Sequence, residues 1–402
     1  MRIHQSERQI IDDQFSIKTV IEFDSPQARL PEELFYKFPA RYADFSSNRA
    51  DPFLVAILHL AMHLGENIQV HGAVSPQLAF HLEEYQRIFS IWYPHLFHPI
   101  SIEYRDLAPP DNRPRPGVGL SFSGGVDSFF SLQRHLPANQ PISHLALTHG
   151  FFIYGFDMPL ADTADFDRLS LDYIDLFHSL GLELIPIHTN IRSFSAPYLS
   201  FTITHGAALA SAGLLLDNFF HRQYIAPSYR YAGLPPWGSS PLTDHLLSTE
   251  SLQIVHDSAV GSRLDRITEI STWQPVREHL RICSNVPHAS YRKNCSRCDK
   301  CLRTMIILHI LGCLDEYPTF SKKVTFLSII RWGLLYNFDN GFHKLFLQEA
   351  REHHRRDLIP WFYIAAFLGW LHMLADRFSP KAIIHPIKAR LRPPRPDPFI
   401  RS

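Results

Sequence analysis

The chain has 402 residues, 45% of them hydrophobic and 19% charged, which suits a soluble globular protein with ample core in two or three domains. Lys+Arg and Asp+Glu both number 39, so the net charge is zero and no global field steers the protein to nucleic acid or a membrane surface. The opening MRIHQSERQIIDDQ lacks a signal-type apolar core, and the longest apolar run, WFYIAAFLGWLHML (Trp361–Leu374), is too short to span a bilayer. A cytoplasmic location without a membrane partner is expected, and the run at Trp361–Leu374 is read as a buried helix.

In chain order, SIKTVIEF predicts a strand and DPFLVAILHLAMHLG a helix. NIQVHG is a short strand, SPQLAFHLEEYQRIFSIWY a helix opened by Ser75-Pro76, and ISIEYRDL a strand. The Pro- and charge-rich APPDNRPRPG then reads as a linker, which makes residues 1–112 an N-terminal α/β domain. From there strands and helices alternate. VGLSFS, SHLALTHG, LELIPIHTN and RQYIAPS are strands, separated by the helices VDSFFSLQRHL, DTADFDRLSLDYIDLFHSLG and HGAALASAGLLL. Such alternation predicts an α/β fold with a doubly wound parallel sheet over residues 113–315. Residues 316–402 are read as a helical region ending in the flexible basic tail KARLRPPRPDPFIRS.

One junction is chemically unusual. Between strand and helix lies SFSGGVDS, from Ser121 to Ser128. Ligands of doubly wound sheets sit at the carboxyl ends of strands, beside helix N-termini. Glycines let the backbone approach an anion, and free amides and the helix dipole favour phosphate. Ser121, Ser123 and Ser128 add hydroxyls. Asp127 would repel a phosphate unless a cation such as Mg²⁺ bridges them. No Gly-Lys dipeptide occurs, which excludes a Walker A loop, and the G-x-G-x-x-G and G-x-S-x-G spacings are not met. The competing reading is a tight turn before a serine-capped helix.

SGGVDS resembles the PP-loop of the ATP pyrophosphatase superfamily. The resemblance implies a Rossmann-like domain that splits ATP between its α and β phosphates and places AMP on a substrate oxygen. It implies that Ser121, Phe122, Ser123, Gly124, Gly125, Val126, Asp127 and Ser128 bind the nucleotide, with Asp127 holding Mg²⁺ and Asp127 and Ser128 counted as catalytic.

A second signal lies downstream. Cys283, Cys295, Cys298 and Cys301 follow one another with two-residue gaps between the last three, and four thiolates complete a tetrahedral Zn²⁺ shell. An iron–sulfur cluster and four unrelated buried cysteines are the alternatives. Cys313 is read as core. A PP-loop followed by such a knuckle is similar to the 7-cyano-7-deazaguanine synthase family, where the zinc is structural. NCSRCDKCLR matches that pattern, and SPLTDHLLSTE (Ser240–Glu250) resembles the segment lining the substrate side. The similarity covers roughly residues 117–305 and extends to bacterial modification or antiphage systems.

Further candidates follow the strands. His149, where the adenine edge would be read, and Asp157 lie in THGFFIYGFD. Asn190 and Arg192 lie in HTNIR, where both could reach a phosphate or carboxylate, and Arg192, with its bidentate fork, is counted with Asp127 and Ser128 as catalytic. His205 and Ser228 are cap-or-ligand positions, and Trp237 in WGSSP could stack on a base. Arg351–Arg356 reads as a solvated helix face. Residue 2 is Arg, so no N-terminal cysteine amidotransferase is expected, and with four cysteines on metal a persulfide pair is hard to build. The expected activity is therefore a ligase using ATP, Mg²⁺ and Zn²⁺. It would activate a carboxylate or amide of a deazapurine-like small molecule for a nitrogen nucleophile. A homodimer or protein partner through the terminal regions is expected, and nucleic acid is not. The alternatives are a tRNA-modifying thiolase or ligase, for which the locally basic SYRKNCSRCDKCLR speaks, and a non-catalytic ATP-binding subunit.

Overall fold

The computed structural model describes residues 1–25, 30–283, 293–335 and 342–377. They form two compact units. The first takes residues 1–123 and 127–262, the second Gly124–Val126 and the described residues from Arg263 on. The boundary expected near residue 112 falls inside the first unit.

The first unit carries an eleven-stranded sheet among its described residues. Its strands are β1 (Arg2–Ile3), β2 (Glu7–Ile11), β3 (Gln14–Glu22), β4 (Glu33–Pro39), β5 (Ile68–Val74) and β6 (Ile102–Leu107). They continue as β7 (Gly117–Ser121), β8 (His149–Tyr154), β9 (Glu183–Thr189), β10 (Phe220–Ile225) and β11 (Gln253–His256). The order is β11-β10-β7-β8-β9-β4-β3-β1-β5-β6, with β2 on β3. β11, β10, β7, β8 and β9 pair in parallel, as do β1, β5 and β6. The sheet is mostly parallel, but antiparallel pairings of β3 with β1, β2 and β4, and of β4 with β9, join the two parallel blocks. These pairings put residues 1–112 in the same compact unit as the strands that follow them. β4 covers the edge that β9 would otherwise expose, and an uncovered edge invites foreign strands.

β4 is a strand for an elementary reason. Leu34, Tyr36 and Phe38 alternate along it and are fully buried, while the residues between them are not. β2 and β3 join through Asp12 and Asp13, whose φ values of 48° and 62° suit a two-residue hairpin turn. The strand expected over SHLALTHG is displaced. Ser143–Leu145 is a short 3-10 turn, and the strand is His149–Tyr154, an apolar run buried almost throughout. The central strands are tightly stacked. A side chain on Gly119 would put its Cβ 2.5 Å from the Phe151 ring, so only glycine fits there.

The helices of the first unit are α1 (Asp51–Leu64), α2 (Pro76–Trp92), α3 (Val126–His135), α4 (Thr163–Ser179), α5 (Ile191–Ser195) and α6 (Phe201–Leu214). α1 is apolar on nearly every side and is buried accordingly. α2 starts as its sequence dictates, with Pro76 in the first turn and the Ser75 hydroxyl accepting from the Leu78 amide at 3.0 Å.

A buried charge cluster ties this unit together. The Arg49 guanidinium meets Asp51 at 2.9 Å, Asp217, and the Ser251 hydroxyl at 2.9 Å. Glu250 accepts from the Ser75 hydroxyl at 2.7 Å and the Gln77 amide at 2.8 Å. Arg49→Met leaves Asp51 and Asp217 as uncompensated buried charges. It is expected to cost about 3–5 kcal/mol in denaturant titration of the protein, and a loss under about 1 kcal/mol would contradict this.

The second unit is helical, with α7 (Arg263–Ile270), α8 (Gln274–His279), α9 (Asp299–Ile310), α10 (Phe326–Leu335), α11 (Phe342–Glu352) and α12 (Ile359–Arg377). α9 supplies its core through Leu302, Met305, Ile306 and Ile310, all buried. Phe346 of α11 stacks on Phe362 of α12 at 5.7 Å. The run Trp361–Leu374 lies in α12, and no helix among the described residues is long and apolar enough to cross a membrane. The basic tail lies outside the described residues.

Candidate functional site

The five parallel strands β11, β10, β7, β8 and β9 end on one rim. In register, Ser121 follows Leu120 opposite Tyr224, and His256 stands opposite Ile225. The glycine turn leaves this rim between β7 and α3. Gly124 has φ 74°, a left-handed conformation that glycine adopts without steric cost. The rim's next loop repeats the device. Gly155, with φ 99°, closes so tightly that a Cβ would lie 2.0 Å from the Thr189 carbonyl oxygen.

The turn residues divide by what they touch. The Ser121 hydroxyl accepts from Gln223 Nε2 at 2.9 Å inside the sheet. The Phe122 amide donates to the Phe151 carbonyl at 2.9 Å, and its ring packs edge-on to Phe129, Tyr173 and Phe177. Phe122 therefore anchors the turn, and its amide is committed to the sheet rather than to an anion. Ser123 is exposed, Gly125 and Asp127 are half-buried, and Gly124, Val126 and Ser128 are buried. The Ser128 hydroxyl reaches back to the Ser123 amide at 3.3 Å and to the Ser123 hydroxyl at 3.3 Å. Asp127 stands in the first turn of α3, where a helix dipole stabilises an anionic group. Exposure in the turn is thus greatest at Ser123, and Phe122 and Ser128 brace it from behind.

Other candidates separate from it. His149 is the first residue of β8, opposite Gly119, at the amino end of the strand rather than beyond its carboxyl end. Its ring packs against Tyr42, Phe219 and Phe220, and burial pushes its pKa down to about 4. The expectation that it reads a base is corrected by the displaced strand. Asn190 is structural. It accepts from the Phe35 amide at 3.0 Å and donates to the Glu33 carbonyl at 2.8 Å, fastening β4 beside the end of β9. Arg192, at the start of α5, donates to the Phe156 carbonyl and lies 5.0 Å over the Phe201 ring. That engagement holds the loop after β8, which also carries the half-buried Asp157. Ser228 is half-buried in the loop after β10. Trp237 meets the Tyr229 ring edge-on at 5.1 Å and the His205 ring at 6.2 Å. Burial lowers the pKa of His205, against a smaller opposing pull from Asp244. In the 351–356 stretch, Arg355 pairs with Asp357 at 2.9 Å and Arg351 donates to the Tyr363 hydroxyl at 2.9 Å.

A cluster not anticipated from sequence lies on the same rim. Asp244, fully buried, accepts from the Ser239 hydroxyl at 2.7 Å and the Ser240 amide at 3.0 Å, and sits 2.8 Å from His256 Nδ1. The segment Ser240–Glu250 therefore does structural work at both ends, through Asp244 and through Glu250. Its only sequence signal is the acid within PLTDH, and nothing there points to a histidine twelve residues on.

In the second unit the four cysteines converge. The Sγ atoms of Cys283, Cys295, Cys298 and Cys301 all lie within 4.8 Å of one another. Cys283 and Cys298 are 3.8 Å apart, and Cys295 and Cys301 3.7 Å. Tetrahedral thiolates at about 2.3 Å from zinc stand about 3.8 Å apart, whereas a disulfide needs about 2.05 Å. Ser296, at φ 55°, makes the turn that folds Cys298 back, and the Cys298 amide donates to Cys295 Sγ at 3.4 Å. Crowding raises the thiol pKa values. Cys298 is pushed up to about 11, first through its contact with Cys283, and Cys301 is also raised through Cys283. A cation relieves that crowding, so this group could hold a metal ion such as zinc.

Comparison of the chain with protein-family models, with curated proteins and with solved structures finds no match.

Proposed function

We propose that the chain is an ATP pyrophosphatase-type ligase resembling the 7-cyano-7-deazaguanine synthase family. It would use ATP to activate a carboxylate or amide of a deazapurine-like heterocycle for attack by ammonia or an amine. The observation that carries this reading is the left-handed Gly124 in a turn between a parallel strand and a helix, with Asp127 in that helix's first turn.

In this reading a substrate oxygen attacks the α-phosphorus of ATP. The bond from that phosphorus to the α–β bridging oxygen breaks, and pyrophosphate departs. The nitrogen nucleophile then attacks the activated carbon, loses a proton, and AMP leaves with the former substrate oxygen. Ser123, Gly124, Gly125 and Ser128 hold the pyrophosphate, as preorganised donors aimed where charge develops. Mg²⁺, when bound at Asp127, would neutralise phosphate charge. Zinc is the metal we assign to the four cysteines, as a structural brace. Arg192 enters as a residue that positions the loop after β8.

The test is the purified protein with ATP, Mg²⁺, ammonium and a carboxydeazaguanine. AMP and pyrophosphate in equal amounts are expected. ADP as the product overturns the class of reaction. ATP binding without cleavage across carboxylate and amide acceptors overturns catalysis.

A further inference from the structure

The second unit holds a pocket of about 310 Å³ beside the cysteine cluster. Arg297 from the knuckle turn, Lys322 and Lys323 from the segment before α10, and Arg331 from α10 line it, with Leu302 and Leu327 as its apolar contacts. The four cations come from two separate stretches of chain, Arg297 and the run from Lys322 to Arg331, which the fold brings together. All four are exposed. Among the described residues, none of the four forms an ion pair.

The neighbouring hydroxyls are already engaged. The Thr325 amide donates to the Ser328 hydroxyl at 2.7 Å, and the Ser328 amide donates to the Thr325 hydroxyl at 3.3 Å. The helix start is therefore capped, and the cations are the donors left to meet a ligand. Four like charges in one concave space repel each other, and an anion lowers that cost. A single carboxylate would leave most of the charge unmatched. A phosphoryl group carries up to two charges and three oxygens, and arginine's planar fork fits it bidentately. Leu327, 75% exposed at the pocket, offers an apolar surface to whatever the phosphate is attached to.

We infer that this pocket binds the phosphoryl oxygens of a phosphate ester, either a small phosphorylated compound or the backbone of a nucleic acid. It is separate from the glycine turn and does not depend on the reading proposed for it.

The test uses the full chain in Mg²⁺-free buffer with two probes, the phosphomonoester glycerol 3-phosphate and a short single-stranded RNA. Wild type is compared with K322A/K323A/R331A and with a control cation on α4, R168A. Retained zinc content and far-UV circular dichroism establish that the triple variant is folded, and R331Q alone serves if it is not. If the ligand is small, glycerol 3-phosphate affinity falls on the order of tenfold or more in the triple variant and RNA binds neither protein. If it is a nucleic acid, RNA affinity falls and the slope of log affinity against log salt becomes shallower by about 2. Binding of both probes unchanged in the folded triple variant, binding of neither probe to wild type, or an equal loss in R168A overturns the inference.

Discussion

Replacing Cys298 by serine is expected to release the metal and to destabilise the second unit with it. Cys298 is the residue that precedes α9, and Cys301 lies within that helix's first turn, so two of the four sulfurs set where α9 starts. α9 then supplies Leu302, Met305 and Ile306 to the core. Structural zinc contributes on the order of 10 kcal/mol of folding free energy in small zinc domains, more than most single packing changes. Zinc content by elemental analysis should drop to near zero in Cys298→Ser, and the thermal transition of the second unit should move down or vanish. A strong chelator on the wild-type protein should reproduce both effects, and added zinc should reverse them. A variant that keeps its metal, or a wild-type protein indifferent to chelation, would show that the thiols are merely close.

Asp127→Asn is expected to leave the fold intact and remove turnover. Asp127 is half-buried in the first turn of α3, so its amide isostere fits the same space. Loss of a favourable interaction with the helix dipole costs about 0.3–1 kcal/mol. The catalytic loss should be larger, because an uncharged amide holds Mg²⁺ poorly beside phosphates. A fall on the order of 10²–10³ in AMP release is expected, the scale seen when one preorganised group is removed from a transition-state charge. Steady-state AMP formation and the denaturation midpoint, measured on the same preparation, separate the two effects. Full activity in the variant would remove Asp127 from the mechanism. Lost activity together with a lost denaturation transition would make it a structural residue.

Parts of the molecule were legible because their signals are local. Ser75-Pro76 announces α2 through a capping hydroxyl and a proline that needs no amide partner. The C-x2-C-x2-C spacing brings sulfurs onto one point within a single turn of chain. The SGGVDS turn is legible between strand and helix, since its glycines and apolar flanks act within a few residues. The apolar run from His149 to Tyr154 was legible too, but a shift of a few residues in where the strand begins moved His149 from the rim to the strand's far end. Alternation at Leu34, Tyr36 and Phe38 was present and unassigned, because its meaning depends on a partner strand distant in sequence.

The sequence by itself determined which residue types are available, where the turn bends and which sulfurs can share an ion, since covalent spacing and backbone conformation act over short stretches of chain. Only the tertiary structure decided that β4 meets β9, that Asn190 fastens β4 beside the end of β9, that Asp244 meets His256, and that four cations from two stretches line one pocket. Those contacts depend on long-range burial, in which each chain segment's partner is selected by the packing of all the others.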